Sequence, residues 1–319
     1  MNRRFAFLQI AISVTALAAV VWWASRQEAP QFPHSAGALA WLAAALAIYA
    51  VATLLRAERW QRIIAVSGLE ARRRDVVGLT LVGYMGNNVL PARAGEMLRV
   101  VLLSRRSAAG KRQLLGTVVC ERVLDALALG VILVVVAYGL LHGARLPSER
   151  PLVVAGAGIV LVALAIAALQ LVRRHPALGR VREVVRPLAQ APRALVGPQG
   201  ITLFFASLAI WALEASVYFA VAEAVGLGID PIDSLYIVAI TNLFAMLPAA
   251  PGYVGTFDAA VLFAVKAVGG TAGLALSYLV LLRFVLFVPI TLVGLVVLVA
   301  RYGGWAALRA ALRVEASKA

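Results

Sequence analysis

Gly83-Tyr84-Met85-Gly86-Asn87-Asn88-Val89-Leu90-Pro91-Ala92-Arg93-Ala94-Gly95-Glu96 breaks one apolar run at a proline. Thr241-Asn242-Leu243-Phe244-Ala245-Met246-Leu247-Pro248-Ala249-Ala250-Pro251-Gly252-Tyr253-Val254-Gly255-Thr256-Phe257-Asp258 breaks another in the same way. Proline lacks an amide donor and its ring clashes with the preceding helical turn, so each run stops there. Each restarts within a few residues, behind glycines that tolerate unusual dihedrals: Gly95 in the first break, Gly252 and Gly255 in the second. Irregular backbone survives at membrane depth only against protein or a water-filled cavity. Paired interruptions of this kind point to a substrate site in a protein built from repeats.

The rest of the chain supplies the membrane setting. It is 62% hydrophobic and 14% charged, with a mean hydropathy of +0.90, where a soluble domain is about half apolar and about a quarter charged. Apolar runs at 5–25, 37–55, 114–141, 152–172, 201–225 and 274–300 have the length of bilayer-crossing helices, about 20 residues. No polar stretch is large enough for a soluble domain. Residues 1–319 therefore read as one transmembrane domain with a basic cytoplasmic linker at 173–199. The opening Arg3-Arg4 and the apolar run ending in Trp22-Trp23, an interfacial aromatic pair, are expected to form an uncleaved first helix rather than a signal peptide.

A net charge of +15 suits a nucleic-acid binder, but its distribution argues for topology instead. Of the 30 basic residues, 24 fall at the N-terminus, at 56–74, 93–112 and 173–193, and in the C-terminal tail. This is the positive-inside asymmetry, and such loops attract anionic lipids. No nucleic-acid partner is expected. The single cysteine, Cys120, excludes an internal disulfide and a cysteine metal cluster. His34, His142 and His175 are not spaced as ligands, so no metal or cofactor is expected. No Walker-type loop is present to bind ATP, and no zinc helix or nucleophile elbow.

With both termini cytoplasmic, a single crossing at 76–90 would place the basic stretches 56–74 and 93–112 on opposite faces. A re-entrant hairpin hinged at Pro91 keeps both inside. By the same count, 232–268 enters and leaves from the outer face. The expected fold is an all-α polytopic membrane protein, with repeat A at about 37–141 and repeat B at about 201–300. The repeats are inverted, with about six full crossings and two re-entrant hairpins. Eight ordinary crossings also satisfy the charge rule and remain the alternative.

Charges inside such runs are costly, about 2.5–3.5 kcal/mol each on insertion scales, and mark candidate sites. Arg122 follows Pro91 by 31 residues and Arg283 follows Pro248 by 35. Arg122 is flanked by Glu121 and shares a helical face with Asp125. Arg283 has no acid in its own segment, so its partner is Glu214, Glu223, Asp258 or an anionic ligand. Glu214 either neutralises a buried arginine or carries a proton. Structural ion pairing is the alternative role for both arginines. Helical arms restarting near Gly95 and Gly252 present free N–H groups suited to an anion. The expected headgroup cavity is lined by Asn87, Asn88, Pro91, Arg93, Gly95, Glu96, Arg122, Asn242, Pro251, Gly252, Gly255, Asp258 and Arg283. Glu214, Asp125 and Glu121 are the candidate proton carriers or ion-pair partners, and no residue is assigned a catalytic role.

Arg59-Trp60, the block Asn87 to Glu96 with Arg99, Glu121-Arg122 with Asp125, and Leu247-Pro248 through Pro251-Gly252 and Gly255 together resemble the flippase-like family of the lysylphosphatidylglycerol synthase transmembrane region. That region is the membrane half of the multiple peptide resistance factor. The family pattern of Pro-Gly-Gly and a following Glu is replaced here by Pro251-Gly252-Tyr253 and Asp258. The resemblance implies translocation of an anionic or modified lipid headgroup (aminoacyl, polyprenyl or glycolipid) across a bacterial inner membrane. Partners would be membrane lipids and a separate lipid-modifying enzyme. Because the chain ends at Ala319, soon after its last apolar run, no aminoacyl-transferase activity is expected. A membrane transferase using Glu96, Glu121 or Asp125 as base, or a non-catalytic subunit of lipid or glycan assembly, are the competing readings.

Overall fold

The computed structural model describes residues 22, 25, 32–90, 93–142, 197–245 and 251–304, with backbone alone at 137–142. Nearly all of the expected first helix, the run 152–172, most of the linker 173–199 and both hinge prolines, Pro91 and Pro248, lie outside the described residues. Among the described residues regular structure is helical only. The elements are α1 (Ala36–Val66), α2 (Arg73–Val89), α3 (Ala94–Ser104), α4 (Lys111–His142), α5 (Pro198–Val225), α6 (Pro231–Ala245), α7 (Thr256–Ala267) and α8 (Ala272–Tyr302). A single 3-10 turn, Pro251–Tyr253, precedes α7.

Four helices are long, with 31, 32, 28 and 31 residues in α1, α4, α5 and α8. At about 1.5 Å per residue each exceeds 40 Å or so, more than the roughly 30 Å hydrocarbon core. Of these, α1, α5 and α8 are both long and apolar enough to cross a membrane. The remaining four have 17, 11, 15 and 12 residues and reach only about 17–26 Å. Lipid-facing side chains such as Val51, Leu54, Leu292 and Val296 are exposed on α1 and α8, as expected where hydrocarbon rather than water is the solvent. The protein is a multi-pass helical membrane protein.

One expected boundary is wrong. The helix expected at 37–55 continues to Val66, so Arg56 and Arg59 are not in a basic loop. The segment Arg56-Ala57-Glu58-Arg59-Trp60-Gln61-Arg62 is rich in good helix formers. Moreover Ala52, Arg56, Arg59, Trp60 and Ile63 fall on one face and are all buried. Only Arg62 and Arg72 to Arg74 stay exposed. Ser35 caps the start of α1 by accepting from the Ala38 N–H at 3.1 Å.

The short helices pair as hairpins, α2 with α3 and α6 with α7. The first is built on glycine. A Cβ on Gly95 would lie 2.0 Å from the Gly83 carbonyl oxygen, and one on Gly86 would lie 2.6 Å from the Gly95 Cα. Such contact between backbones is the usual role of small residues where membrane helices cross. The base of this hairpin is gathered by Arg106, 3.3 Å from Asp75, and by Arg301, whose guanidinium donates to the Arg74 carbonyl at 3.3 Å. The start of α2, the segment after α3 and the end of α8 are thus together. At the other hairpin, Leu227 and Ile229 before α6 share a core cluster with Val265 of α7. A Cβ on Gly270 would touch Leu227 at 3.5 Å. Helix α8 runs from that second base to the first. Packing is also repetitive: α1 on α5, α2 on α8, α6 on α4, α1 on α2, α5 on α6. Exchanging α1–α4 with α5–α8 leaves this set of pairings unchanged.

Candidate functional site

The two breaks meet. Arg93, just before α3, and Tyr253, just before α7, are the two described non-glycine residues with positive φ, at 55° and 54°. This left-handed conformation is sterically costly and clusters at functional sites. The Arg93 guanidinium stacks over the Tyr253 ring at 5.3 Å and donates to the Ala245 carbonyl at 2.7 Å. A cavity opens beside this junction. Side chains from all eight helices reach it, including Tyr49, Arg56, Asn87, Arg93, Glu96, Arg99, Arg122, Asp125, Trp211, Glu214 and Phe287.

Charges around the cavity form one connected network. Arg56 holds Glu214 at 2.8 Å. Arg59 holds Asp125 at 2.7 Å, donates to Ser207 Oγ at 2.7 Å and lies 3.8 Å from Glu121. Arg99 holds Glu121 at 2.5 Å and covers the Trp60 ring at 4.3 Å. Arg122 reaches Asp125 at 3.2 Å and Glu96 at 3.6 Å, and Arg93 reaches Glu96 at 3.6 Å. Five arginines therefore face four carboxylates, a formal excess of one positive charge among the described residues. Buried charges persist only when paired and hydrogen-bonded, and the pairing is incomplete. The Nε atoms of Arg93, Arg99 and Arg122 and the indole Nε1 of Trp211 are buried without a hydrogen-bond partner. All four belong to residues that line the cavity.

Among the residues expected to form the cavity, Asn87, Asn88, Arg93, Glu96, Arg122 and Asn242 line it, as do Asp125 and Glu214 of the candidate proton carriers or ion-pair partners. Asn88 donates to Thr291 Oγ1 at 2.8 Å, and Asn242 to the Tyr218 hydroxyl at 3.4 Å. Gly95, Glu121, Pro251, Gly252, Gly255, Asp258 and Arg283 are absent from the wall, and Pro91 lies outside the described residues. Gly95 is spent on the hairpin crossing, and Glu121 sits one layer behind, between Arg59 and Arg99. Arg283 pairs with Asp258 and donates to the Gly252 carbonyl at 3.3 Å. Asp258 accepts from the Gly255 N–H at 2.9 Å. These four lock the second break from behind, with Arg283 also against the rings of Phe257 and Phe287. Arg122–Glu96 and Arg283–Asp258 occupy corresponding places: each acid is the third residue of its short helix.

Sequence reasoning missed Arg56 and the aromatic walls Tyr49, Tyr84, Trp211 and Tyr253 as site residues. Arg56 was hidden by its basic neighbours; its spacing from Ala52, Arg59 and Trp60 on a helical face was the available signal. Polar aromatics inside apolar runs were the signal for the rest.

Known membrane proteins resemble this sequence over most of its length. A sequence model described as the lysylphosphatidylglycerol synthase TM region matches residues 7–294. The glycosyltransferase AglD of Haloferax volcanii is 28% identical over 265 residues, 69% of this chain and 42% of that protein. The chain thus spans about two fifths of that relative's length. UPF0104 membrane protein PH1989 of Pyrococcus horikoshii is 23% identical over 92% of this chain and 96% of its own. UPF0104 membrane protein MJ1595 of Methanocaldococcus jannaschii is 34% identical over 94 residues, 28% of each chain. With most of its length matched and the break residues converging on one cavity, the chain belongs to the lysylphosphatidylglycerol synthase transmembrane-region family.

Proposed function

We propose that this protein binds an anionic or modified lipid headgroup in the arginine-lined cavity and carries it across a cytoplasmic membrane, with both termini on the cytoplasmic side. The observation that carries the reading is the set of buried, unpartnered donors on Arg93, Arg99, Arg122 and Trp211, four residues that line a cavity at the junction of two broken helices. Arginine suits phosphate recognition because its rigid fork offers several donors to one group. In this reading the repeats are inverted and both hairpins are re-entrant. Support comes from the short lengths of α2, α3, α6 and α7, from the exchange-invariant packing, and from α8 linking one hairpin base to the other. Alternating access would rock one repeat against the other around the fixed cavity.

The test is reconstitution into liposomes with fluorescent phosphatidylglycerol, aminoacylated phosphatidylglycerol and a polyprenyl-linked sugar. Wild type should translocate at least one probe, and Arg122→Gln should slow it tenfold or more, the effect of about 1.4 kcal/mol. Failure of folded wild type to move any of them overturns the proposal. The glycosyltransferase relative favours a second reading, a membrane region that serves or performs group transfer onto a lipid carrier. Incubation with sugar or aminoacyl donors and mass analysis of the lipids separates the two, since only transfer changes lipid mass.

A further inference from the structure

Glu214 stands well inside α5, about 24 Å from its first residue, and lines the cavity. It is held differently from the other acids of the network. Asp125 meets Arg59 and Arg122, Glu121 meets Arg99 and Arg59, and Glu96 meets Arg122 and Arg93. Glu214 meets Arg56 alone, through Oε2 at 2.8 Å, and its Oε1 accepts from none of the described residues. Adding a proton to Glu214 therefore forfeits one ion pair, where each of the other three acids would forfeit two. Asp258 also has a single arginine, but both of its oxygens are engaged, one by Arg283 and one by the Gly255 N–H. It is absent from the cavity wall.

Arg56 has a second place to rest. Its guanidinium lies 5.2 Å from the centre of the Trp211 ring, a contact that holds a cation without neutralising it. Around the pair, Tyr49 of α1 and Tyr218 of α5 are in electrostatic reach of Glu214. Tyr49, Tyr84 of α2 and Asp125 of α4 are in reach of Arg56, and Asp125 is already spent on Arg59 and Arg122. From α6 comes the neutral Asn242, and from α8 Tyr278, each hydrogen-bonded to Tyr218. With Glu214 neutral, Arg56 becomes a cation in the cavity wall that has lost its ion-pair partner. A buried charge needs a partner, and an anion in the cavity supplies one.

From this arrangement we propose that Glu214 is a proton-binding site coupled to the cavity, taking up a proton as an anion settles beside Arg56, so that proton and anion cross the membrane together. The inference rests on the headgroup reading above and adds a second cargo to it. The proton comes from water in the cavity, adds to a carboxylate oxygen and cancels its charge. Arg56 keeps its own protons, and the anion replaces Glu214 as its partner. When the anion leaves, Arg56 recovers Glu214 and the proton returns to water on that side. Linkage is reciprocal, so acid should tighten anion binding by the same factor with which the anion tightens proton binding.

The experiment is calorimetric titration of the purified full chain in nonionic detergent with dihexanoylphosphatidylglycerol, whose phosphodiester stays singly charged from mildly acidic to mildly alkaline solution. Wild type should bind it about tenfold more tightly at the acidic end, inside the usual span of coupling between sites, roughly 5–150-fold. At the alkaline end, titrations in buffers of different ionisation heat should show close to one proton taken up per anion. Glu214→Gln copies the protonated acid in shape and charge. It should bind at both ends as wild type does at the acidic end, with no proton uptake. Glu214→Asp, which can still take a proton, should keep the uptake, and so should Glu96→Gln. In liposomes, acid on the side from which the lipid departs should speed translocation by wild type and leave Glu214→Gln unaffected. Undiminished uptake in folded Glu214→Gln, loss of uptake in folded Glu96→Gln, or binding by wild type that ignores pH overturns the coupling while leaving lipid translocation standing. Wild type that neither binds nor translocates any anionic lipid removes both readings.

Discussion

Asp125 is the residue on which the network turns. It accepts from Arg59 at 2.7 Å and faces Arg122 at 3.2 Å, and its side chain is 3% exposed. Truncating one partner of a buried ion pair leaves an uncompensated charge and costs about 3–5 kcal/mol. Asp125→Ala should therefore lower the unfolding midpoint in detergent more than Ser207→Ala, which removes the hydrogen bonds with Arg59 and with the Leu203 carbonyl, each worth about 1 kcal/mol. Equal midpoints for the two variants would deny Asp125 its central place. Of this network the sequence displayed Arg122, Asp125, Glu121 and Glu214 openly, because charges stand out in apolar runs. Which acid pairs with which arginine was not legible. Arg56 and Glu214 are 158 residues apart in sequence, and only folding brings them together.

At the scale of the element, the close approach of the two arms of the first hairpin depends on its glycines. Gly86→Ala or Gly95→Ala forces a methyl group into backbone already in contact, and overpacking costs about 1–3 kcal/mol, sometimes more. A Cβ added at Gly130 in α4 would meet nothing within 4 Å, so Gly130→Ala should be neutral or stabilising by up to about 1 kcal/mol. Thermal unfolding of the three variants checks the contrast; uniform tolerance would mean the hairpin arms are not in close contact. The breaks themselves were readable from proline and glycine chemistry. The cost of their local geometry was not, since the left-handed residues are Arg93 and Tyr253 as well as glycines. A non-glycine residue holds that conformation only when its surroundings compensate, here through the contact between the two.

For the whole molecule the arrangement of the hairpin bases makes a topological prediction. In a background lacking Cys120, Arg73→Cys and Arg106→Cys, both at exposed positions, should react with an impermeant thiol reagent from the same face. Ile232→Cys, exposed at the start of α6, should react from the other face. Labelling of the Arg73 and Arg106 sites from opposite faces would rule out a re-entrant hairpin between them.

Composition and periodicity alone determined that this is a helical membrane protein, where the middles of its four described long helices lie and where two of its helical segments break. Those properties are local or additive: hydropathy sums over a window, and a proline followed by glycines disfavours a helix locally, whereas Pro289, without them, stands inside α8. Tertiary structure decided what the breaks bring together. It placed Arg93 on Tyr253, withdrew Arg283 and Asp258 to brace the second break, and extended α1 so that Arg56 and Arg59 entered the network. It also left the Nε atoms of three cavity-lining arginines and one indole N–H without hydrogen-bond partners. Such pairings depend on distances between residues remote in sequence, and a buried charge takes its role from the partner that folding supplies.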